Sequence, residues 1–251
     1  MVDLRPDLGR YPSTRGQAPW PGHEYVKGWG VFAQPFATGH VLALRVVRES
    51  DFGSYRTLWH RDPEGAWSIY VDGPRVDTAC PRYYGAACNY TGFRRLDLEW
   101  LGPATLRVRL DSLDLDWVLT AVQTPLLRIL NVVNVAAPLS TWRSPAVVHA
   151  RERMARALGM GGLQLRGVMP SGHVGTFMPQ RMYLINDTAA TLNGMGLGPP
   201  ARLHDNPTIG DVPLPARGVL AIGQGVWEIL GPQEYDHARR ETSIVRELPA
   251  T

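Results

Sequence analysis

The chain has 251 residues, a net charge of +3 and 44% hydrophobic residues, which fits one large globular core or two small ones. Its basic side chains are almost all arginine, with Lys27 the only lysine, and they are interleaved with acids; this excludes the basic stripe of a nucleic-acid binder. The most apolar run, 125–139, contains Arg128, Asn131, Asn134 and Pro138, so it is too short and too interrupted to span a bilayer.

Residues 1–24 are polar and proline-rich with no apolar h-region. The expectation is an irregular leader on a cytoplasmic protein. Strand patterns follow at 25–36, 40–48, 55–61 and 67–72, and Asp62-Pro63-Glu64-Gly65 is a strong hairpin turn between the last two. Residues 73–88 read as a loop rich in Pro, Gly and Tyr. Cys80 and Cys88, its two cysteines, have neither zinc-knuckle nor CxxC spacing; a bridge between them stays open, with buried free thiols the expectation for a cytosolic protein. Between Phe93 and Leu119 three segments alternate apolar and polar residues. Leu96, Leu98 and Trp100 share one face; Leu106, Val108 and Leu110 share the next; Leu113, Leu115, Trp117 and Leu119 share the third. A period of two with short turns predicts an antiparallel meander.

Thr124-Pro125 then starts a helix whose apolar stripe is predicted as Leu126, Ile129, Leu130 and Val133. Ser144-Pro145 starts a second, with Val147, Ala150, Met154 and Leu158 at helical spacing and the glycines of 159–162 as its stop. Strands resume at 163–169, 177–186 and 191–192, with weaker ones near 202–203, 219–221 and 226–230. The fold class expected is mainly β: an antiparallel barrel or cupped sheet with a helical hairpin inserted at about 125–159. A single β-rich domain spans 25–232, and 233–251 is a polar tail.

Motif tests remove most chemistries. The glycines of 194–198 lack a βαβ setting and run into Pro199-Pro200, so they form no dinucleotide loop. Asp111, Asp114 and Asp116 do not have calcium-loop spacing. The seven histidines are scattered without a HExxH pair, and no GxSxG elbow exists. No cofactor and no metal is expected. What remains is a concentration of tyrosines and arginine at 78–90. Tyr83, Tyr84, His60, His173 and Asp72 are the candidates for moving protons. Trp59, Trp67, Arg82, Trp100, Trp117, Arg181 and Tyr183 are the candidates for lining a ligand site. A buried Arg181 would require an acid, and Asp72, Asp77 and Asp116 are the choices.

The hairpin Tyr55-Arg56-Thr57-Leu58-Trp59-His60 to Trp67-Ser68-Ile69-Tyr70-Val71, with the meander after it, resembles the lipocalin-like superfamily that includes carotenoid hydratases (hydroxyneurosporene synthases) and cofactor-free natural-product cyclases. That resemblance implies a lipocalin-like barrel and cofactor-free acid/base work on a greasy substrate: hydration, isomerisation or cyclisation. It assigns no individual residue. The acetoacetate decarboxylase-like fold has a similar length and β-content, but its Schiff-base chemistry needs an active-site lysine, and Lys27 is the sole candidate. The sequence therefore predicts a hydrophobic small molecule, bound in a pocket inside the barrel, as partner, with no nucleic acid and no membrane span. It leaves three functions open: an enzyme acting on that molecule, a non-catalytic carrier of a lipid or polyketide-like compound, or a partner-binding domain.

Overall fold

The computed structural model describes residues 3–10 and 20–247, with side chains through 242. The fold is mainly β. One sheet holds β1 (His23–Pro35), β2 (Val41–Ser50), β3 (Tyr55–Arg61), β4 (Trp67–Asp72), β5 (Tyr90–Phe93), β6 (Asp97–Trp100), β7 (Thr105–Leu110), β8 (Leu115–Val122), β9 (Arg166–Val168), β10 (Val174–Leu192), β11 (Met195–Gly196) and β14 (Val219–Glu228), while β12 (Thr208–Ile209) and β13 (Val212–Pro213) form a small ribbon. The main path runs β5-β4-β3-β2-β1-β14-β10-β8-β7-β6, with β9 and β11 added on β10. Every pairing in the path is antiparallel except β4 with β5.

The two edges of this path, β5 and β6, are consecutive in sequence. The link 94–96 can span at most roughly 14 Å between Phe93 and Asp97. In a flat sheet ten strands wide the edges would lie roughly 43 Å apart. The sheet must therefore curl into a cup. Here the expected meander is corrected: its first segment is not one strand but two, β5 on one edge and β6 on the other, with buried Leu96 between them. Asp72 fixes the crossing, accepting from the Leu96 amide at 3.1 Å and pairing with Arg56 at 2.7 Å. The remainder of the meander, β6-β7-β8, is antiparallel as expected.

The inner face of the cup is packed solid. Trp29 on β1 meets Trp100 on β6 with ring centroids 5.9 Å apart, although five steps of the path separate their strands. Leu42, Leu44, Leu58, Leu106, Val108, Trp117 and Leu220 fill the space between. The N-terminal segment joins this core. Its helix α1 (Arg5–Arg10) replaces the irregular leader expected there, because Leu4 and Leu8 bury against the inner core and Asp7 accepts the Tyr183 hydroxyl. Residues 11–19 of that leader lie outside the described residues.

The helical hairpin comprises α3 (Pro125–Ala136) and α4 (Pro145–Ala157); a single turn, α2 (Pro81–Tyr84), precedes it in the loop before β5. Thr124 caps α3, accepting from the Leu127 amide at 3.2 Å, and Pro125 occupies the first turn. The left-handed Gly159 and Gly161 (φ 77° and 74°) follow α4. The predicted stripe of α3 is rotated. Leu127, Leu130, Asn131 and Asn134 face inward, while Leu126, Ile129, Val132 and Val133 are exposed. The reason is polar. Asn131 bonds both the carbonyl and the amide of Met182, at 2.9 and 2.8 Å, beside a bulge in β10. Apolarity alone could not reveal that requirement. In α4 the buried positions are Val148 and Ala155 rather than Ala150 and Met154, which are exposed. After β14 the polar tail forms α5 (Pro232–Glu247), whose Tyr235 packs edge-on to Phe52.

Trp117 is fully buried in the inner core and donates from its indole to Thr188 Oγ1 at 2.9 Å. Truncation to Ala is expected to lower unfolding free energy by about 3–5 kcal/mol, measured by urea unfolding. A loss below about 1 kcal/mol would show that the inner face is not a packed core.

Candidate functional site

The packed interior leaves the other face of the sheet for a site. On the outer face of β1, β2, β3 and β14 a second apolar layer forms, including Val47, Tyr55, Trp59, Tyr83, Tyr84 and Trp227. A cavity of about 100 Å³ lies there, bounded by the sheet, by α2 and by residues of 160–165 and 212–215. Gly28 and Gly223, paired across β1 and β14, belong to its wall. A Cβ at Gly28 would sit 2.0 Å from the Val46 carbonyl oxygen, and one at Gly223 would sit 2.4 Å from that of Met178. Only glycine permits backbones this close. A third glycine in the wall, Gly225, has Trp227 where its side chain would be. This also explains why β14 reads as two weak strands in sequence: glycines stand where alternation would require apolar side chains.

One corner of the cavity is polar. Arg45, on β2, lies over the rings of Phe32 and Trp59, 4.2 and 4.7 Å from their centroids. Its Nη1 donates to the carbonyls of Val31 at 2.5 Å and Leu44 at 3.1 Å, and its Nη2 donates to that of Phe32 at 3.3 Å. A bulge at this point of β1 shifts the register against both neighbours. Among the described residues Arg45 has no carboxylate partner. Burial pushes its guanidinium down from its ordinary value, while Cys80, Tyr84 and Tyr55 act in the opposite direction. Burial in turn raises the Tyr55 and Tyr84 phenols and the Cys80 thiol. At neutral pH this corner holds a cation, two phenols and a thiol, all protonated.

Behind the cavity wall sits a buried acid. Glu24, at the start of β1, is fully inaccessible. Arg82 grips it through two bonds of 2.8 Å, the Tyr83 hydroxyl donates to it at 2.7 Å, and His173 Nε2 lies 3.5 Å away. Ser171 Oγ reaches the other ring nitrogen of His173 at 2.8 Å. Burial opposes the charge on Glu24, but the hydrogen bonds from His173, Arg82 and Tyr83 outweigh it and hold the carboxyl below its ordinary value. The Tyr83 ring stacks on Trp227 at 4.2 Å, with 13° between the planes. Tyr83 thus offers the cavity its ring and commits its hydroxyl to Glu24.

The sequence-predicted residues separate accordingly. Tyr83, Tyr84 and Trp59 line the cavity. Arg82 and His173 stand behind the wall on Glu24. Trp67 is buried near the cavity but donates to the Thr208 carbonyl at 2.7 Å. Trp100, Trp117 and Tyr183 belong to the inner core or pack against it. Arg181 finds its acid in Asp7, 3.5 Å away, not in Asp72, Asp77 or Asp116, which pair with Arg56, Arg75 and Arg107. His60 stacks on His40, with ring nitrogens 2.9 Å apart, and does not line the cavity. Arg45 and Glu24 were missed because each is one charged residue in an alternating strand, where the ordinary reading is a wet face.

Among the described residues no group of three or more His, Cys, Asp and Glu is placed to hold a metal, and no helix is long and apolar enough to cross a membrane. Cys80 and Cys88 are free thiols. The glycine-rich 194–198 segment begins in a hairpin turn, with Asn193 and Gly194 both at positive φ between β10 and β11. Comparison with known proteins gives no match: no family model, no curated protein and no solved structure matches the chain.

Two groups near the sheet contribute to the acid response of stability, alongside surface carboxylates such as Asp77 and Asp116 that their arginines hold below the ordinary value. Burial, with the neighbouring His40, lowers the His60 imidazole from 6.5 to about 4. The unfolded chain then takes up a proton that the folded chain refuses, so stability declines as pH falls across that interval. Glu24 acts lower. Its contribution is complete above its ordinary 4.5 and is lost as pH falls through its depressed folded value. Urea unfolding as a function of pH should show both segments, with His60→Gln flattening the first and Glu24→Gln the second. At pH 7, Glu24→Gln is expected to cost about 3 kcal/mol, because Arg82 loses its buried charge partner and keeps, among the described residues, only the exposed Glu234 at 3.5 Å.

Proposed function

We propose that this protein binds a small, mainly apolar molecule in the cavity on the outer face of the cupped sheet. The observation that carries this reading is the cavity itself: apolar and aromatic walls, held at the sheet surface by glycines that nothing larger can replace, closing on one corner of buried donors. Its volume is on the scale of the roughly 150 Å³ cavity that admits one benzene. That favours a single ring or short chain over an extended polyene or long-chain lipid.

Two forms of this function differ at Tyr84. In the enzymatic form its phenol, kept neutral by burial, donates a proton or hydrogen bond to a carbonyl or enolate oxygen of the ligand, in isomerisation, cyclisation or hydration without a cofactor. In the carrier form the same hydroxyl only orients the ligand. One observation favours the carrier: among the described residues lining the cavity, no carboxylate or imidazole is present to accept a proton. The buried acid Glu24 lies outside that lining and accepts the Tyr83 hydroxyl.

Native mass spectrometry of the purified protein tests the binding reading. A bound small molecule is expected in the wild type and absent from Ala221→Leu, which fills the cavity from β14 at a tolerable stability cost of about 1–3 kcal/mol. Equal retention by both proteins would place the ligand elsewhere. Tyr84→Phe then separates the two forms. It should keep the ligand in either case, but lose about 10²-fold or more in turnover if the phenol works as an acid. A wild-type protein that returns its ligand unchanged is a carrier.

A further inference from the structure

We propose that the molecule bound in this cavity is a monoanion, a carboxylate on a small apolar body, and that Arg45 is the residue that selects it. This rests on the binding reading above and adds the ligand's charge.

Arg45 is the only charged residue among the described residues lining the cavity. A guanidinium has five N–H donors. Three bonds go to the carbonyls of Val31, Leu44 and Phe32. Among the described residues the Nε–H and one Nη2–H have no acceptor. The Nε–H and the Nη2–H beside it form one edge of the planar group, the edge that would meet both oxygens of a carboxylate in a bidentate pair when the Phe32 bond uses the other Nη2–H. The rings of Phe32 and Trp59 lie against the guanidinium, which restricts it to one plane and leaves that edge as its means of finding an acceptor.

Charge balance points the same way. Two other largely buried cations hold an acid, Arg82 with Glu24 and Arg181 beside Asp7. Arg151 and Arg217, like Arg45, have no acid partner among the described residues and are lowered by burial; Arg45 differs from these two in lining the cavity on the outer face. Among the described residues Arg45 has no such acid, and an apolar cavity is a costly place for an uncompensated charge. Its electrostatic neighbours Tyr55, Tyr84 and Cys80 are protonated donors, which suit an anion and cannot neutralise a cation. One positive charge in a site without a second cation matches a monoanion better than a phosphate dianion. The bulge accounts for three of the donors, but it does not require a permanent charge; an amide side chain could meet a carbonyl there.

The test pairs acids with their neutral counterparts. Phenylacetate, cinnamate and hexanoate, each beside its primary amide, are titrated at pH 7 by calorimetry and by tryptophan fluorescence, since Trp59 and Trp227 line the cavity. In the wild type the carboxylates are expected to bind at least about tenfold more tightly than the amides. Arg45→Gln should remove that preference by weakening the acids far more than the amides, and Arg45→Lys should restore part of it. Should Arg45→Gln fail to fold, as judged by circular dichroism, the wild-type acid-to-amide ratio still decides. Amides that bind as tightly as the acids overturn the charge assignment and leave the cavity reading standing. If neither series binds up to about 10 mM, the cavity reading falls and the assignment falls with it.

Discussion

A sheet whose two edges are tied by three residues has to curl, and the curl decides which side chains can meet. In a flat sheet Trp29 and Trp100 would be five strands apart; here their rings are in contact. The inner face then becomes the main core, filled from every part of the path. A filled interior cannot also be a binding site. The other face of β1, β2, β3 and β14 carries the second apolar layer, and there the covering segments leave a cavity between themselves and the strands. Core and site are separated by one backbone thickness, and alternate residues of the same strand serve each: Leu44 faces the core, Arg45 the cavity.

The cover over that outer face is pinned by charge as well as by apolar contact. Glu24 lies at the start of β1, Arg82 and Tyr83 on α2, and His173 in the turn before β10. Three segments far apart in sequence converge on one carboxylate. Such a pair contributes little net stability compared with apolar packing, yet loss of either partner is severe. Its effect is positional. It fixes α2, and through α2 it fixes Tyr84 and the stack of Tyr83 on Trp227 that form one wall of the cavity. The polar groups of Arg82, Tyr83 and His173 converge on the Glu24 carboxylate, so the cluster clamps α2 to the sheet.

The strand periodicity exposed most of the architecture. Period two located β2, β3, β4, β7 and β8, Pro-Glu-Gly located the hairpin after β3, and Thr-Pro and Ser-Pro located the starts of α3 and α4. Three features were hidden for physical reasons. The division of 93–100 between two sheet edges depends on a parallel pairing with β4, which no local pattern encodes. The inward face of α3 is set by Asn131 meeting a bulge in a strand fifty-one residues away. The single strand β10, nineteen residues long, looked like separate pieces because it passes from neighbouring β14 to neighbouring β8 through two register shifts, which interrupt its alternation. Of the site, the tyrosine-rich loop was legible because tyrosines concentrate there. Trp59 was legible as a large apolar strand residue, but it was expected inside the barrel and lies on the outer face. Arg45 was not: one arginine in Leu-Ala-Leu-Arg-Val-Val has the look of a solvated position.

Two partly buried arginines, Arg45 and Arg82, show how the same side chain takes different roles from its surroundings. Both lose water on folding, and burial works against the charge of each. Arg82 recovers through Glu24, and its hydrogen bonds to that acid leave it raised overall; it is a structural tie. Arg45 is given only carbonyl oxygens, aromatic faces and protonated neighbours, and remains lowered. A protein that needed only to close the bulge at Phe32 could do so with a neutral donor. Keeping a full charge there, next to an open apolar volume and away from any fixed acid, leaves a deficit that an anion entering the cavity would remove. That deficit supplies a differential interaction between ligand and non-ligand, which an apolar cavity alone lacks, because apolar contacts rank molecules mainly by size.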